Sequence, residues 1–293
     1  MAKKLIHNRP KRIFTFGCSF TKFLWGTYPN IIGKEFPEAE FRNFGHSGAG
    51  NQYIHNMLMQ VDAIYKFNQN DLVVVQWTNV MREDRYIPHQ GGWLLTGNIV
   101  GNPYYGDEWL KKYFSEFGAY LRDLALIRSA HQVLKDRTNL HMLKMLDMEN
   151  PSQYEQRHFN EFNDFYEIYH ESIKEILPSF YQVLWNNDLQ FKTKKDRQLV
   201  HPLYSDRHPS PQEHYEYLKS VFDHNWTANT DRTVSEAQDK WSHILKQFCE
   251  SYRPEQNEIG PYMADKGVID QLNSCTFMSS PQSPIDPRII RIR

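Results

Sequence analysis

The segment Asp71-Leu-Val-Val-Val-Gln-Trp77 limits what this chain can fold into more than any other. Its apolar run has no polar alternation, so a strand here has no face to give to water. Strands covered on both faces are the habit of parallel sheets flanked by helices. Two further segments suit the same sheet. Arg12-Ile-Phe-Thr-Phe16 is β-branched and aromatic and stops at Gly17, and Glu40-Phe-Arg-Asn-Phe44 alternates and stops at Gly45. Helix-compatible stretches, Tyr28–Phe36 and Asn51–Phe67, lie between them, the second with Ile54, Leu58, Val61 and Tyr65 at helical spacing. Alternating strand and helix predicts the α/β class, here a three-layer α/β/α sandwich with about five parallel strands.

The middle and end of the chain read differently. Arg85 to Asp107 is rich in glycine and aromatics and holds Pro88 and Pro103, which predicts an irregular insertion loop. Glu108 to Arg137 reads as one long amphipathic helix, and Asn139 to Met148 as an ambiguous fourth strand. Further helices are expected over Tyr154–Leu177, Pro211–Asp223 and Val234–Tyr252, while Trp185–Tyr204 fits no element. The division expected is one domain over 1–253, with insertions at about 85–135 and 151–200, then an irregular arm over 254–293.

Composition removes several classes. Of 293 residues, 34 are Lys or Arg and 35 Asp or Glu, a net charge of −1, without the basic excess of a nucleic-acid-coating protein. No aliphatic run approaches the roughly 20 residues that span a bilayer. Residues 1–16 carry Lys3, Lys4, Lys11 and Arg12 but no apolar stretch of a secretory signal. Cys18, Cys249 and Cys275 are too few and too far apart for a disulfide framework or a zinc knuckle. The expectation is a soluble, cytoplasmic protein with no nucleic-acid or membrane partner, no metal and no cofactor; the oligomeric state is left open.

Four short segments carry chemistry. Gly17-Cys18-Ser19 follows the first strand, where a serine hydroxyl is lifted to the carboxyl edge of an open sheet, the usual ligand side; alone it reads first as a turn with a helix cap. Asn43-Phe-Gly-His-Ser-Gly-Ala-Gly-Asn51 places glycines where backbone N–H groups can converge on an anion. It lacks the third glycine of a dinucleotide fingerprint and the Gly-Lys of a P-loop, and Asn51 reads as a helix cap. Trp77-Thr78-Asn79 ends the third strand with an amide able to donate. Ser205-Asp-Arg-His-Pro-Ser-Pro211 sets His208 beside Asp206, a pairing that orients a general base, just before a Pro-initiated helix.

Together these segments resemble the SGNH hydrolases, also called GDSL esterases and lipases. Gly17-Cys18-Ser19 resembles that family's Gly-Asp-Ser block, and Asn43 to Gly48 its Asn-x-x-x-Ser-Gly block. Trp77-Thr78-Asn79-Val80 resembles its Gly-x-Asn-Asp block, and Asp206-Arg207-His208-Pro209 its Asp-x-x-His-Pro block. The likeness covers residues 12–84 and 204–218; the wording Phe-Gly-Cys-Ser-Phe-Thr, with Gln76-Trp-Thr and Arg82, is similar to a branch found among phage-encoded proteins. It departs at Cys18 and Val80, which replace aspartates, and in the single residue between Asp206 and His208.

The resemblance implies a flavodoxin-like sandwich and a serine esterase. Ser19 would be the nucleophile, His208 its base and Asp206 the group orienting His208. Ser19 N–H, Gly48 N–H and the Asn79 amide would form the oxyanion hole, with Arg82, His46 and Trp77 as candidate substrate contacts. The substrate implied is a small acyl ester, including O-acetyl groups on carbohydrate, which the aromatic stretch from Tyr86 to Tyr105 would wall. Alternatives are a glycan acyltransferase and a catalytically silent glycan-binding or virion-associated module.

Overall fold

The computed structural model describes residues 4–6, 9–87, 92–99, 102, 104–146, 159–186, 208–251 and 266–276. Its elements begin β1 (Lys4–Leu5), β2 (Arg12–Phe16), α1 (Tyr28–Glu35), β3 (Glu40–Asn43), α2 (Asn51–Tyr65) and β4 (Asp71–Trp77). A hairpin, β5 (Arg82–Ile87) and β6 (Gly92–Asn98), precedes α3 (Asp107–Tyr113), α4 (Glu116–Leu134) and β7 (Asn139–Lys144). Then come α5 (Phe159–Ile173), α6 (Phe180–Trp185), α7 (Pro211–Val221), β8 (Phe222–Asp223), α8 (Ala228–Ser251) and α9 (Lys266–Asn273).

Every residue of β4 is buried, as its unbroken apolar run requires. It lies at the centre of a parallel sheet of order β3-β2-β4-β7, with Phe14 opposite Val73 and Val74 opposite His141. This is the flavodoxin-type strand order. Right-handed crossovers then fix the layers. The chain steps one way from β2 to β3 and the other way from β3 to β4 and from β4 to β7, so α1 covers one face and α2 and α4 the other. Contacts agree: α2 packs on α4 and α4 on α5, while α1 packs on α7 and α8. Full burial of each Val or Phe in the sheet contributes roughly 1.5–3 kcal/mol.

Four strands form the main sheet where about five were expected. The outer position beyond β7 is reduced to a parallel bridge between Met142 and Ile176, extended by Leu177 N–H donating to Met142 O at 2.8 Å. The region expected as an irregular loop from residue 85 is in part an antiparallel hairpin, with Tyr86 opposite Trp93. The single helix expected over 108–137 is two, because Ser115 takes an extended conformation and caps α4 by accepting from Gly118 N–H. Within the expected irregular arm, α9 and the turn after it place Leu272 and Cys275 in a small apolar cluster with Trp25, Ile244 and Leu245. Trp185 closes α6; residues 187–207 lie outside the described part. Among the described residues no helix is long and apolar enough to cross a membrane.

Candidate active site

Parallel strands bring their carboxyl ends to one edge, and the loops that follow β2, β3 and β4 meet there. Beyond β2 the chain turns sharply, with Thr21 and Lys22 N–H both donating to Cys18 O at 2.9 and 3.1 Å. A Cβ on Gly17 would stand 2.0 Å from Thr21 Oγ1, so only glycine allows this approach. Beneath the turn is a buried polar knot centred on Gln76 of β4. Its Oε1 accepts from Cys18 Sγ at 3.3 Å and Thr21 Oγ1 at 3.2 Å, and its Nε2 donates to Trp77 O at 2.9 Å. Cys18 is thus a buried thiol that anchors the turn. Ser19 sits above it, 5% exposed. Among the described residues neither its hydroxyl nor its N–H is engaged in a hydrogen bond.

The glycine loop after β3 is tied to this turn at both ends. Asn43 Nδ2 donates to Thr21 O at 2.9 Å while its Oδ1 accepts from Gly45 N–H, and His46 N–H donates to Gly17 O at 3.0 Å. Gly48 has φ +80, a left-handed conformation, and a Cβ there would lie 3.0 Å from Leu95 O. The hairpin fastens the loop from outside: Gly97 N–H donates to Gly48 O at 3.0 Å, and Arg82 Nη1 to Ala49 O at 2.8 Å. The Gly48 N–H itself has no acceptor among the described residues.

Gly50, not Asn51, is the N-cap of α2, and it has no side chain to offer the first turn. Asp84 of β5 supplies one, accepting from Gly50 N–H and Tyr53 N–H, each at 2.8 Å. Asn51, the first helical residue, instead turns its amide to Thr78. Its Oδ1 accepts from Thr78 N–H at 2.8 Å, and its Nδ2 donates to Thr78 O at 3.0 Å and to Asp123 Oδ2 at 2.7 Å. Burial pushes both Asp84 and Asp123 up to about 6, against the backbone, amide and arginine donors around them. Asn51, Gln76, Asp84 and Asp123 were not among the residues the sequence singled out for the site. Asn51 read only as a cap, and the others gave no local signal, since the partners that tie them to other loops are 31 to 72 residues away in sequence.

Asn79 follows Thr78. Met81 N–H donates to its Oδ1 at 2.8 Å, which fixes the amide and leaves Nδ2 a donor with no acceptor among the described residues. Trp77 is fully buried, so its ring offers nothing to a ligand. Arg82 is committed to Ala49 O, and His46 is half-buried with Nδ1 2.7 Å from Ser47 O, burial lowering its basicity. His208 reaches the same neighbourhood from the far end of the chain. Its ring stacks on Phe23, centroids 3.8 Å apart, and meets Phe20 edge-on at 5.5 Å. Trp25 Nε1 donates to Pro209 O at 2.8 Å and pins the His208 loop to the segment after Ser19. Asp206 lies outside the described residues. Ser210 and Glu213 form a capping box around Pro211, the start the sequence predicts for α7. Among the described residues no cluster of three His, Cys, Asp or Glu suits a metal ion.

No family model matches the chain, and no curated protein does. Similar solved structures include a catalytic mutant of Axe2, an acetylxylan esterase from Geobacillus stearothermophilus. It is 14% identical, covers 75% of this chain and 98% of its own, and has a TM-score of 0.41. The psychrotrophic esterase EstA from Pseudoalteromonas sp. is 15% identical over 72% of this chain and 96% of its own, with a TM-score of 0.39. AlinE4, described as an SGNH-hydrolase family esterase, is 16% identical over 79% and 98%, with a TM-score of 0.35. At such identities and TM-scores these likenesses carry no argument about activity; they include the family whose blocks the sequence resembles.

Proposed function

We propose that the chain is a serine hydrolase acting on small acyl esters by the SGNH route. The observation that carries this reading is that three donors stand at the sheet edge without acceptors among the described residues. They are the N–H groups of Ser19 and Gly48 and the oriented Asn79 amide, the set an oxyanion hole needs. Ser19 Oγ attacks the acyl carbonyl while His208 takes its proton, and Asp206 orients His208. The carbonyl oxygen becomes an oxyanion held by the three donors. Collapse expels the alcohol, which leaves with the proton from His208. Water then repeats the sequence on the acyl-serine and releases the carboxylic acid. No hydrogen bond joins Ser19 to His208 in this structure, and such bonds commonly tighten only when substrate is bound.

The finer reading is a short acyl group, acetyl first, on a carbohydrate. Ser19 is nearly buried, which leaves little room for a long chain. The hairpin that grips the Gly48 loop presents Tyr86, 43% exposed, edge-on to Trp93, and aromatic faces stack on sugar rings. The test is labelling by a fluorophosphonate followed by peptide mapping, with Ser19→Ala as control. Label on Ser19 and loss of ester hydrolysis in Ser19→Ala support the reading; full activity in Ser19→Ala overturns it. A silent binding module is favoured by the unmade Ser19–His208 bond, and the absence of any label would select it. Acyl release only when a sugar acceptor is present would select a transferase.

A further inference from the structure

Gly48 and Asn79 belong to loops after different strands, β3 and β4, so their spacing depends on what ties those loops together. The tie is Asn51. It stands three residues past Gly48, and its amide forms a cyclic pair with the backbone of Thr78, the residue before Asn79. In effect the side chain imitates a neighbouring peptide, giving Thr78 both an acceptor and a donor. The second Nδ2 hydrogen goes to Asp123 Oδ2 at 2.7 Å, and Asp123 Oδ1 accepts from Arg122 Nε at 2.9 Å. Each polar hydrogen of the Asn51 amide is therefore used, and the amide has one orientation available. Asn51 and Asp123 are fully buried and Thr78 is 2% exposed, so water cannot replace the bonds cheaply.

We propose that Asn51, held by Asp123, is a positioning residue that sets the distance between the Gly48 and Asn79 oxyanion donors. The inference rests on the ester-hydrolase reading above. Neither residue touches substrate; both act through Asn79. Oxyanion donors work only when aimed at the oxygen as it develops charge, and misplacement by about 1 Å can reduce rate by about 10²-fold.

The variant Asn51→Asp keeps size and shape but turns the donor end into a carboxylate facing Thr78 O and Asp123. In a protein that hydrolyses a p-nitrophenyl acyl ester, kcat should fall about 10- to 100-fold, with KM changed no more than about twofold. Because the residue acts through Asn79, the double variant Asn51→Asp/Asn79→Ala should be within about twofold of Asn79→Ala alone. A merely structural role would multiply the two losses. Asp123→Asn, which keeps only one of the two oxygens that Asn51 and Arg122 use separately, should give a smaller loss that likewise vanishes beside Asn79→Ala; it carries the test if Asn51→Asp does not fold. Amide exchange read by mass spectrometry provides the arm that needs no activity. Faster exchange confined to residues 77–81, with the β2 peptide unchanged, is expected. Multiplying losses, a KM effect alone, or unchanged exchange over 77–81 overturns the inference. If Ser19 of the parent takes no fluorophosphonate, the hydrolase reading fails and the exchange result alone decides whether Asn51 positions Asn79.

Discussion

The His208 imidazole lies flat on Phe23, with ring centroids 3.8 Å apart and planes 13° apart. Phe23 is four residues past Ser19 and itself stands edge-on to Trp25, whose indole N–H holds Pro209 O. The stack therefore joins the Ser19 turn to the His208 loop. Removing the Phe23 ring frees the imidazole to sample rotamers away from Ser19. Phe23→Ala is expected to slow both ester turnover and fluorophosphonate labelling of Ser19 about tenfold, with the protein still folded. Labelling at the parental rate would show that the stack does not place His208.

The turn that presents Ser19 depends on the absence of a side chain at residue 17. In Gly17→Ala the new methyl meets Thr21 Oγ1 at 2.0 Å and Gln76 Oε1 at 2.9 Å, inside the buried knot that also holds Tyr28. Overpacking of this kind costs about 1–3 kcal/mol. The urea midpoint should fall accordingly, and labelling of Ser19 should fall with it even well below the unfolding transition. A midpoint equal to the parent's would mean that the turn relaxes freely.

At the opposite end of the same strands, Arg12 grips Asp71 through Nε and Nη2 at 2.7 and 2.6 Å, and Asp71 also accepts from Asn68 N–H. Asp71 is 1% exposed and Arg12 partly so. Asp71→Ala strips the guanidinium of its carboxylate, leaving it only the carbonyls of Tyr65 and Lys66, and leaves a turn amide unpaired; about 2–3 kcal/mol of stability should be lost after discounting for solvent at Arg12. Because this edge is a full strand away from Ser19, kcat at a permissive temperature should stay unchanged. A matching drop in kcat would mean that the sheet transmits the disturbance.

The sheet was legible because parallel strands buried on both faces write themselves as continuous apolar runs: Leu72 to Val75 could go nowhere else. Ser19, Gly48 and Asn79 were legible as residues just past strand ends, and Ser210-Pro211 as a helix start. The hairpin was not, since Pro88 and the glycines around it have the composition of a loop, while its pairing of Tyr86 with Trp93 is set by the partner strand. Nor was the role of Asn51. A residue after a glycine at a helix start reads as a local cap, yet its amide is spent on Thr78 and Asp123, 27 and 72 residues away. Asp84 shows the reverse case, a capping group delivered from another strand because Gly50 has none of its own. Long-range polar pairing has no periodicity to betray it.

His141 gives the fold a dependence on pH that is separate from the Ser19 site. It lies in β7 opposite Val74, its ring edge-on to Phe222 at 5.0 Å, and neither ring nitrogen has a hydrogen-bond partner among the described residues. Burial, with a smaller contribution from Lys4, lowers its pKa from 6.5 to about 3. The folded state therefore holds it neutral while the unfolded chain protonates it at the ordinary value. The stability it contributes is full above pH 6.5 and is lost as pH falls towards 3, because the unfolded state binds one more proton throughout that window. Asp84 and Asp123 act in the opposite sense. Raised from 3.8 to about 6, they bind protons in the folded state first, so acidification favours folding through them. The parent's net slope mixes these terms, and the comparison with His141→Leu isolates the histidine. Between pH 6 and 4 the parent should lose stability relative to His141→Leu at up to about 1.4 kcal/mol per pH unit, read from urea unfolding at each pH. Parallel stability curves for the two proteins would show that His141 is protonated or solvated within the fold.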